Sequence, residues 1–307
     1  MKILIAGGTG FIGQGLVQHW SSHTTHDVTL LSRHQKNTLH WDEFNQAPTT
    51  WLTQFDLVIN LCGANIGQRR WSTRRKQTIL TSRIQPTQTL ATHLAKLGNQ
   101  APRWFNASAI GIYGIQLNHS HYLPPSLDEQ TDLSHPPTCF LAKVGTQWEA
   151  ATQPAIQAGV PTVLLRFGVV LAKHDGALPQ IARPFWWGLG GRIGSGCQPF
   201  SWISLKDLCR AIDFLIEHPH VQGPINLVAP KCIRQIEFAH SLAHQLHRPS
   251  CFTLPNSIVQ LLFGQMGEEL LLSGQHVIPS RLLDLGFQFA LPDIDSALRN
   301  IYSTKKT

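Results

Sequence analysis

The sequence predicts an α/β fold, a doubly wound parallel sheet with a smaller, mixed C-terminal substrate domain. Two observations predict it. Short, nearly continuous apolar runs alternate with helix-length segments, as strands buried on both faces and joined by crossover helices require. A glycine pattern also lies directly between the first apolar run and the first helical stretch. The 307 residues leave room for two domains or one large one.

Taken in order, strands are expected at 2–6, 27–31, 56–62, 103–108 and 162–167. A helix beginning near Trp71-Ser72 carries Leu80, Ile84, Thr87, Ala91 and Leu94 on one face, and Pro86 should kink or divide it. Another helix is expected from Phe140 to about Gln157. Beyond residue 170 the texture changes to Gly-rich turns, Gly188-Leu189-Gly190-Gly191 and Gly194-Ser195-Gly196, with short helical pieces. The first domain is therefore placed at 1–170, with 205–228 returning a helix and strand to it. The second is placed at 171–204 and 229–307.

Hydrophobic residues make up 42% of the chain and charged residues 14%, with a mean hydropathy of -0.07, a balance that excludes disordered and membrane-embedded classes. No stretch approaches the roughly 20 apolar residues needed to span a bilayer, and the opening apolar run is too short for a signal-peptide core. Six cysteines without a C-x-x-C pair read as free thiols in a reducing compartment, so a cytoplasmic location is expected. The Asn118-His119-Ser120 sequon is then a chance match. The formal charge is +7, and it is local. Residues 57–127 contain no Asp or Glu but eight cations: Arg69, Arg70, Arg74, Arg75, Lys76, Arg83, Lys96 and Arg103. Without them 17 Lys and Arg face 18 acids, so the rest of the chain stands at −1.

The strongest local signal is Lys2-Ile3-Leu4-Ile5-Ala6-Gly7-Gly8-Thr9-Gly10-Phe11-Ile12-Gly13. Gly7 permits the tight turn, Gly10 lets backbone approach a pyrophosphate, and Gly13 lets the helix pack on the strand, with the helix N-terminus facing the anion. This is a Rossmann-type nucleotide site, with Thr9, Phe11 and Ile12 in the loop. The second strand ends in Ser32-Arg33-His34, where an NAD-specific protein would usually place an acid. A guanidinium instead suits a 2′-phosphate, so the cofactor is expected to be NADP(H). Leu61, Cys62, Gly63 and Ala64 bring the end of the next strand against it.

Together these residues resemble the atypical, epimerase-like subgroup of the extended short-chain dehydrogenase/reductase superfamily. The likeness extends to Arg70-Trp71, Ser82-Arg83, Ser108-Ala109-Ile110-Gly111-Ile112-Tyr113-Gly114, Trp148-Glu149, Leu165 to Leu171, Gly188 to Gly196 and Trp202 to Asp207. The stretch from Glu268 to Gln275, then Pro279, Arg281 to Leu283 and Gly286-Phe287, is similar to that subgroup's C-terminal domain of unknown function. The resemblance implies cofactor contacts that include Ser82, Arg83 and Ala107. It also implies a relay of a Tyr, a Lys four residues later and a Ser or Thr. Lys143 is the natural lysine, holding the nicotinamide ribose, but Cys139 stands four residues before it. The usual Ser/Thr position falls on Ala109, leaving Ser108 one place earlier, and Tyr113 is the best spare phenol. The only Y-x-x-x-K match, Tyr302 with Lys306, reads as coincidence.

Other features are weighed on position. The basic, Trp-bearing segment 69–83 follows a strand end, which places some of its cations at the ligand cleft of an open α/β sheet, others on a solvated helix face, and makes nucleic acid the weakest reading. His240, His244 and His247 share a helical face without an acid between them, and no metal site is expected. Arg166 and Asp207 should join strand ends to the substrate lobe. The reading is an NADP(H)-binding, epimerase-like oxidoreductase acting on an unidentified, anionic small molecule, with a nucleotide sugar or another phosphorylated or carbonyl compound as the candidates, and with no nucleic acid or membrane partner. The alternative is a catalytically silent NADP(H)-dependent binding or sensing protein, since the usual Tyr is absent. Monomer and homodimer both stay open.

Overall fold

The computed structural model describes residues 1–307 except 25, 34–37, 117–121, 136 and 304–307. The Asn118 sequon, His34 and Lys306 lie outside the described residues.

The chain begins with β1 (Lys2–Ala6), α1 (Phe11–His23), β2 (Asp27–Ser32), a short β3 (Leu39–His40), α2 (Trp41–Gln46) and β4 (Leu57–Asn60). It continues through α3 (Thr73–Leu97), β5 (Arg103–Ala109), α4 (Phe140–Ala150), α5 (Gln153–Gln157) and β6 (Thr162–Phe167). A winding segment follows, with β7 (Val169–Leu171), α6 (Leu178–Trp186), β8 (Gly191–Ile193), β9 (Pro199–Phe200) and β10 (Trp202–Ser204). After α7 (Leu205–Glu217) and β11 (Gly223–Leu227) come β12 (Ile233–Arg234), α8 (Gln235–Leu246), β13 (Phe252–Leu254), α9 (Asn256–Phe263) and α10 (Gln265–Leu270). The last elements are α11 (Ser280–Asp284) and α12 (Ile294–Ser303).

Seven strands form one parallel sheet in the order β11-β6-β5-β4-β1-β2-β3. The continuous apolar runs have a direct cause in this arrangement. Alternate residues of a strand point to opposite faces, and here both faces are covered. Ile3 and Ile5 pack with Leu16 and Trp20 of α1 and Leu208, Ile212 and Leu215 of α7. Leu4 and Ala6 face the other way, among Leu90, Ala91 and Leu94 of α3. The order reverses at β1 and β4, the switch point where such sheets open a ligand crevice.

Two helices depart from the sequence reading. Pro86 does not divide α3, which runs unbroken from Thr73 to Leu97. Burial of Ile79, Thr87, Leu90, Ala91 and Leu94 on both sides of the proline holds the helix across the missing hydrogen bond. The expected helix from Phe140 to Gln157 is instead two, α4 and α5. Thr152 Oγ donates to the Glu149 carbonyl at 2.7 Å, and Pro154 opens the next helix, where its absent N–H costs nothing.

The C-terminal part is held by three two-stranded pairings, β7 with β10, β9 with β12, and β8 with β13. Its core gathers Leu171, Leu178, Phe185, Trp202, Phe238, Leu242, Leu298 and Ile301. Asp207, at the start of α7, fastens this part to the sheet. Its buried carboxylate accepts the N–H groups of Ala290 and Leu291 at 2.9 and 2.8 Å and pairs with Arg210 at 2.8 Å. Among the described residues no helix is long and apolar enough to cross a membrane.

Asp207→Ala should leave these N–H groups without an acceptor and lower the unfolding free energy by about 2–3 kcal/mol, read from urea denaturation.

Candidate functional site

The cleft starts at the turn from β1 into α1. Gly7 has φ +75, and a Cβ there would stand 2.9 Å from the Cys62 nitrogen. Gly13 is tighter, because its Cβ would fall 2.5 Å from the Gly8 backbone. A Cβ on Gly10 would meet only the Gly7 carbonyl, at 3.3 Å, which leaves the loop open to a ligand. Helix α1 begins at Phe11 with no side-chain cap and no acid in its first turn. The first N–H groups of a helix lack intrahelical partners and carry the positive end of its dipole, so Thr9 to Gly13 fit an anionic pyrophosphate.

The neighbouring strand end supplies the charge. Ser32 is buried and hydrogen-bonded to Thr38 at 2.8 Å, while Arg33 is exposed. No ion pair to Arg33 occurs among the described residues. Arg33 is near enough to Cys62 to favour the thiolate, yet burial dominates and pushes the Cys62 thiol up to about 12.

At the end of β4 a polar link fixes the loop Leu61 to Ala64. Buried Asn60 donates from Nδ2 to Thr87 at 2.9 Å and to Asn106 at 2.7 Å, while its oxygen accepts the Cys62 N–H at 3.1 Å. Ser82 Oγ accepts the Ala64 N–H at 2.9 Å, and Arg83 donates to the carbonyls of Ala64 and Ile79 at 3.0 and 3.1 Å. Its guanidinium lies 5.0 Å over the Trp148 ring. Burial, with added repulsion from Arg75, lowers the Arg83 guanidinium to about 10. Ser82 and Arg83 thus grip the loop backbone. Sequence reasoning placed Asn60 only within the Asn60-to-Ala64 motif and missed Asn106, although an asparagine inside each of two apolar strands was a signal, and the structure pairs the two in register.

The rest of the basic segment divides. Arg75 donates to the Asn65 carbonyl beside the same loop. Arg70 donates to the Leu261 carbonyl of α9 at 3.2 Å, and Lys76 to Gln265 of α10. Arg69 and Arg74 are exposed.

Behind Ala107, at the end of β5, lies a buried network. Ser108 Oγ donates to Glu149 at 2.7 Å, and Arg166 donates to the two Glu149 oxygens at 2.8 and 2.9 Å. Arg166 also donates to the Tyr113 oxygen at 2.8 Å, and that phenol donates to Asn226 at 2.9 Å. Burial pushes the Tyr113 phenol up, against the Arg166 charge. For Arg166 burial opposes the charge, but hydrogen bonding and attraction to Glu149 outweigh it and raise its pKa. Glu129 closes the chain by accepting the Asn226 N–H at 2.8 Å, and burial raises its carboxyl. Both candidate hydroxyls, on Ser108 and Tyr113, are therefore engaged inside the sheet. Arg166 joins β6 to α4 rather than to the substrate lobe.

Helix α4 sets the third expected relay residue apart. Gly145 faces the turn after β5, where a Cβ would come 2.7 Å from Ile112, and Leu141 packs against Gly111 of the same turn. Lys143 lies two residues from each, about 200° around a helix. It is exposed in a groove with Gln77, Leu80, Thr81, Ile84, Gln85 and Gln147, between α3 and the outer face of α4. The structure does not bring Lys143 to the turn after β5. The positions four apart that do face it are apolar, Leu141 and Gly145. Cys139 precedes α4 without a side-chain cap bond, and burial raises its thiol.

The C-terminal part completes this end of α4. Buried Glu269 accepts the N–H groups of Phe140 and Leu141 at 3.0 and 2.9 Å, a carboxylate cap that the α4 dipole favours. Gln275 donates to the Gly114 carbonyl at 2.5 Å. Elsewhere, His240 and His244 line a shallow hollow with Asp295 and Arg299, and no group of three or more metal-capable side chains occurs among the described residues.

A parallel sheet with this glycine turn at its switch point defines a dinucleotide-binding protein of the Rossmann class. The chain belongs to the NAD dependent epimerase/dehydratase family, whose model matches residues 3–228, and residues 254–301 match a domain of unknown function, DUF1731. It is 40% identical over 299 residues to the epimerase family protein Mb2239 of Mycobacterium bovis, covering 96% of each chain. It is 36% identical to the epimerase family protein SDR39U1 of Bos taurus, covering 98% of this chain and 99% of that one. The crystal structure of human SDR39U1 with NADPH superposes with a TM-score of 0.87 at 36% identity, covering 98% of this chain and 99% of that one. A nucleoside-diphosphate sugar epimerase from Corynebacterium glutamicum matches at 28% identity and a TM-score of 0.76, over 97% of this chain and 57% of that one.

Two outcomes test this geometry. Glu149→Gln should strand the Arg166 charge and cost about 3–5 kcal/mol of stability, read by denaturation. With a thiol pKa of about 12, Cys62 holds roughly one part in ten thousand as thiolate at pH 8 and gains more only as pH rises. Iodoacetamide at pH 8 should therefore label exposed Cys251 and spare Cys62, as read by peptide mass mapping.

Proposed function

We propose that this protein binds NADP(H) in the cleft and acts as an NADP(H)-dependent binding or sensing protein, without the tyrosine–lysine relay of its superfamily. The observation that carries this reading is the face of α4 turned toward the end of β5, which presents Leu141 and Gly145 while Lys143 points outward. Proton delivery to an alkoxide needs a donor within hydrogen-bond reach, and the hydroxyls of Ser108 and Tyr113 are committed to Glu149 and Asn226.

In this reading Gly7, Thr9, Gly10, Phe11, Ile12 and Gly13 hold the pyrophosphate, and Arg33 holds the 2′-phosphate. Leu61 to Ala64 and Ala107 wall the cleft, with Ser82 and Arg83 fixing that wall. Human SDR39U1, solved with NADPH, supports the cofactor. NADP(H) supplies hydride exchange when bound. The Arg75 cation, beside the loop at Asn65, supports an anionic small molecule next to it.

A second reading, hydride transfer on such a molecule, is favoured by the Corynebacterium relative described as a nucleoside-diphosphate sugar epimerase. The two part on one assay. Purified protein with NADPH, offered carbonyls and nucleotide sugars, should show no cofactor oxidation at 340 nm above the blank. Turnover that disappears in Tyr113→Phe would overturn the sensing reading. Arg33→Ala should weaken NADPH binding about 10–100-fold and leave NADH unchanged, because only the 2′-phosphate meets the guanidinium. Lys143→Ala should leave NADPH affinity within about twofold, and a larger loss would return that lysine to the cleft.

A further inference from the structure

Most of the large apolar side chains that stand exposed gather on the C-terminal part of the chain. Trp186, Trp187 and Leu189 lie at the end of α6 and in the turn after it, with Trp187 73% exposed, and Phe252 opens β13. Ile258, Leu261 and Leu262 lie on α9, with Leu261 75% exposed, and Val259 is the buried side chain of that helix. The two groups belong to one structural unit. Phe252 pairs with Gly191 across β8 and β13, its N–H donates to the Gly190 carbonyl at 3.3 Å, and α9 follows β13 directly. Three paired residues, about 10 Å of ribbon, separate the groups.

Neither 176–206 nor 238–267, the segments that carry the exposed apolar groups, contains an Asp or Glu. The charge within these segments has one sign, and exposed acids, Asp175, Glu237 and Glu268, stand only at their ends. Arg183, Arg192 and Arg248 are exposed there, and the Arg248 guanidinium lies 5.6 Å from the Trp186 ring. On the α9 side the acid-free basic segment adjoins, through the bond from Arg70 to the Leu261 carbonyl, with Arg69 and Arg74 exposed beside it. Helix α9 itself carries no charge.

We propose that this surface docks on the interface of an anionic lipid bilayer, with Trp186, Trp187, Leu189, Phe252, Leu261 and Leu262 entering the headgroup region and the surrounding arginines meeting lipid phosphates. Tryptophan is favoured at that depth, and apolar anchors combined with cations are what interfacial binding draws on. A second copy fits less well. A two-fold contact would set Arg183, Arg192 and Arg248 against themselves. The sequence-based expectation of no membrane partner rested on the lack of a spanning segment, and interfacial docking needs none. This inference is independent of the cofactor reading, since vesicle binding and NADPH binding are measured separately.

The test is co-flotation of the full chain with phosphatidylcholine vesicles, with and without phosphatidylglycerol. The protein should float with the anionic vesicles, stay behind with the neutral ones, and detach as salt is raised. Trp187→Ser, and Leu261→Ser with Leu262→Ser, should each weaken partitioning about tenfold or more at unchanged NADPH affinity. Three results would overturn the proposal: no flotation with anionic vesicles, binding that survives all of these substitutions, or a dimer in sedimentation that the same substitutions dissolve.

Discussion

Arg166 lies in the interior of a sheet covered on both faces, so its guanidinium requires a counter-charge, and Glu149 supplies one through two parallel hydrogen bonds. The rest of the site is arranged around that pair. Glu149 ties α4 to β5 through Ser108, and Arg166 holds the Tyr113 phenol, which fixes the turn after β5 against Asn226 of β11. Desolvating two charges is worthwhile only when every remaining donor and acceptor is met. Here the surrounding polar groups are met, and the outcome is a fixed register between α4 and the sheet. That register decides which α4 side chains face the cleft.

The C-terminal part takes part in the same construction. Glu269 caps α4, Gln275 holds the Gly114 carbonyl, and Ser201, between β9 and β10, accepts the Val277 N–H and donates to the Gln275 carbonyl at 2.7 Å. Asp207 fastens the segment around Leu291. These bonds run between segments far apart in sequence, so the DUF1731 region completes the cofactor-binding domain at its edges and does not stand apart from it.

The architecture was legible because buried parallel strands leave apolar runs and a glycine turn has a steric reason for each glycine. All five expected strands have counterparts in the structure. Helix interruptions were less legible: Pro86 is overridden by packing on both sides, whereas the break near Thr152 depends on a hydroxyl bond that spacing does not reveal. The site was legible in part. Counting from Cys139 to Lys143 respects the i, i+4 rule but not the rotation of the helix, which Glu149 sets from six residues beyond Lys143. Arg166 was read as a link between lobes because its partner, Glu149, is known only once β6 and α4 are side by side.

The cap on α4 also bears on how the chain is made. The carboxylate that completes the start of this helix lies 129 residues downstream of Phe140, and the edge strand β11 likewise follows the first excursion into the C-terminal part. A ribosome adding about 5–20 residues per second would expose α4 uncapped, beside an unpaired β6 edge, for several seconds. The nascent chain must then shield that edge until β11 arrives and wait longer still for Glu269, a burden on biosynthesis that a finished domain appended after a finished domain would not carry.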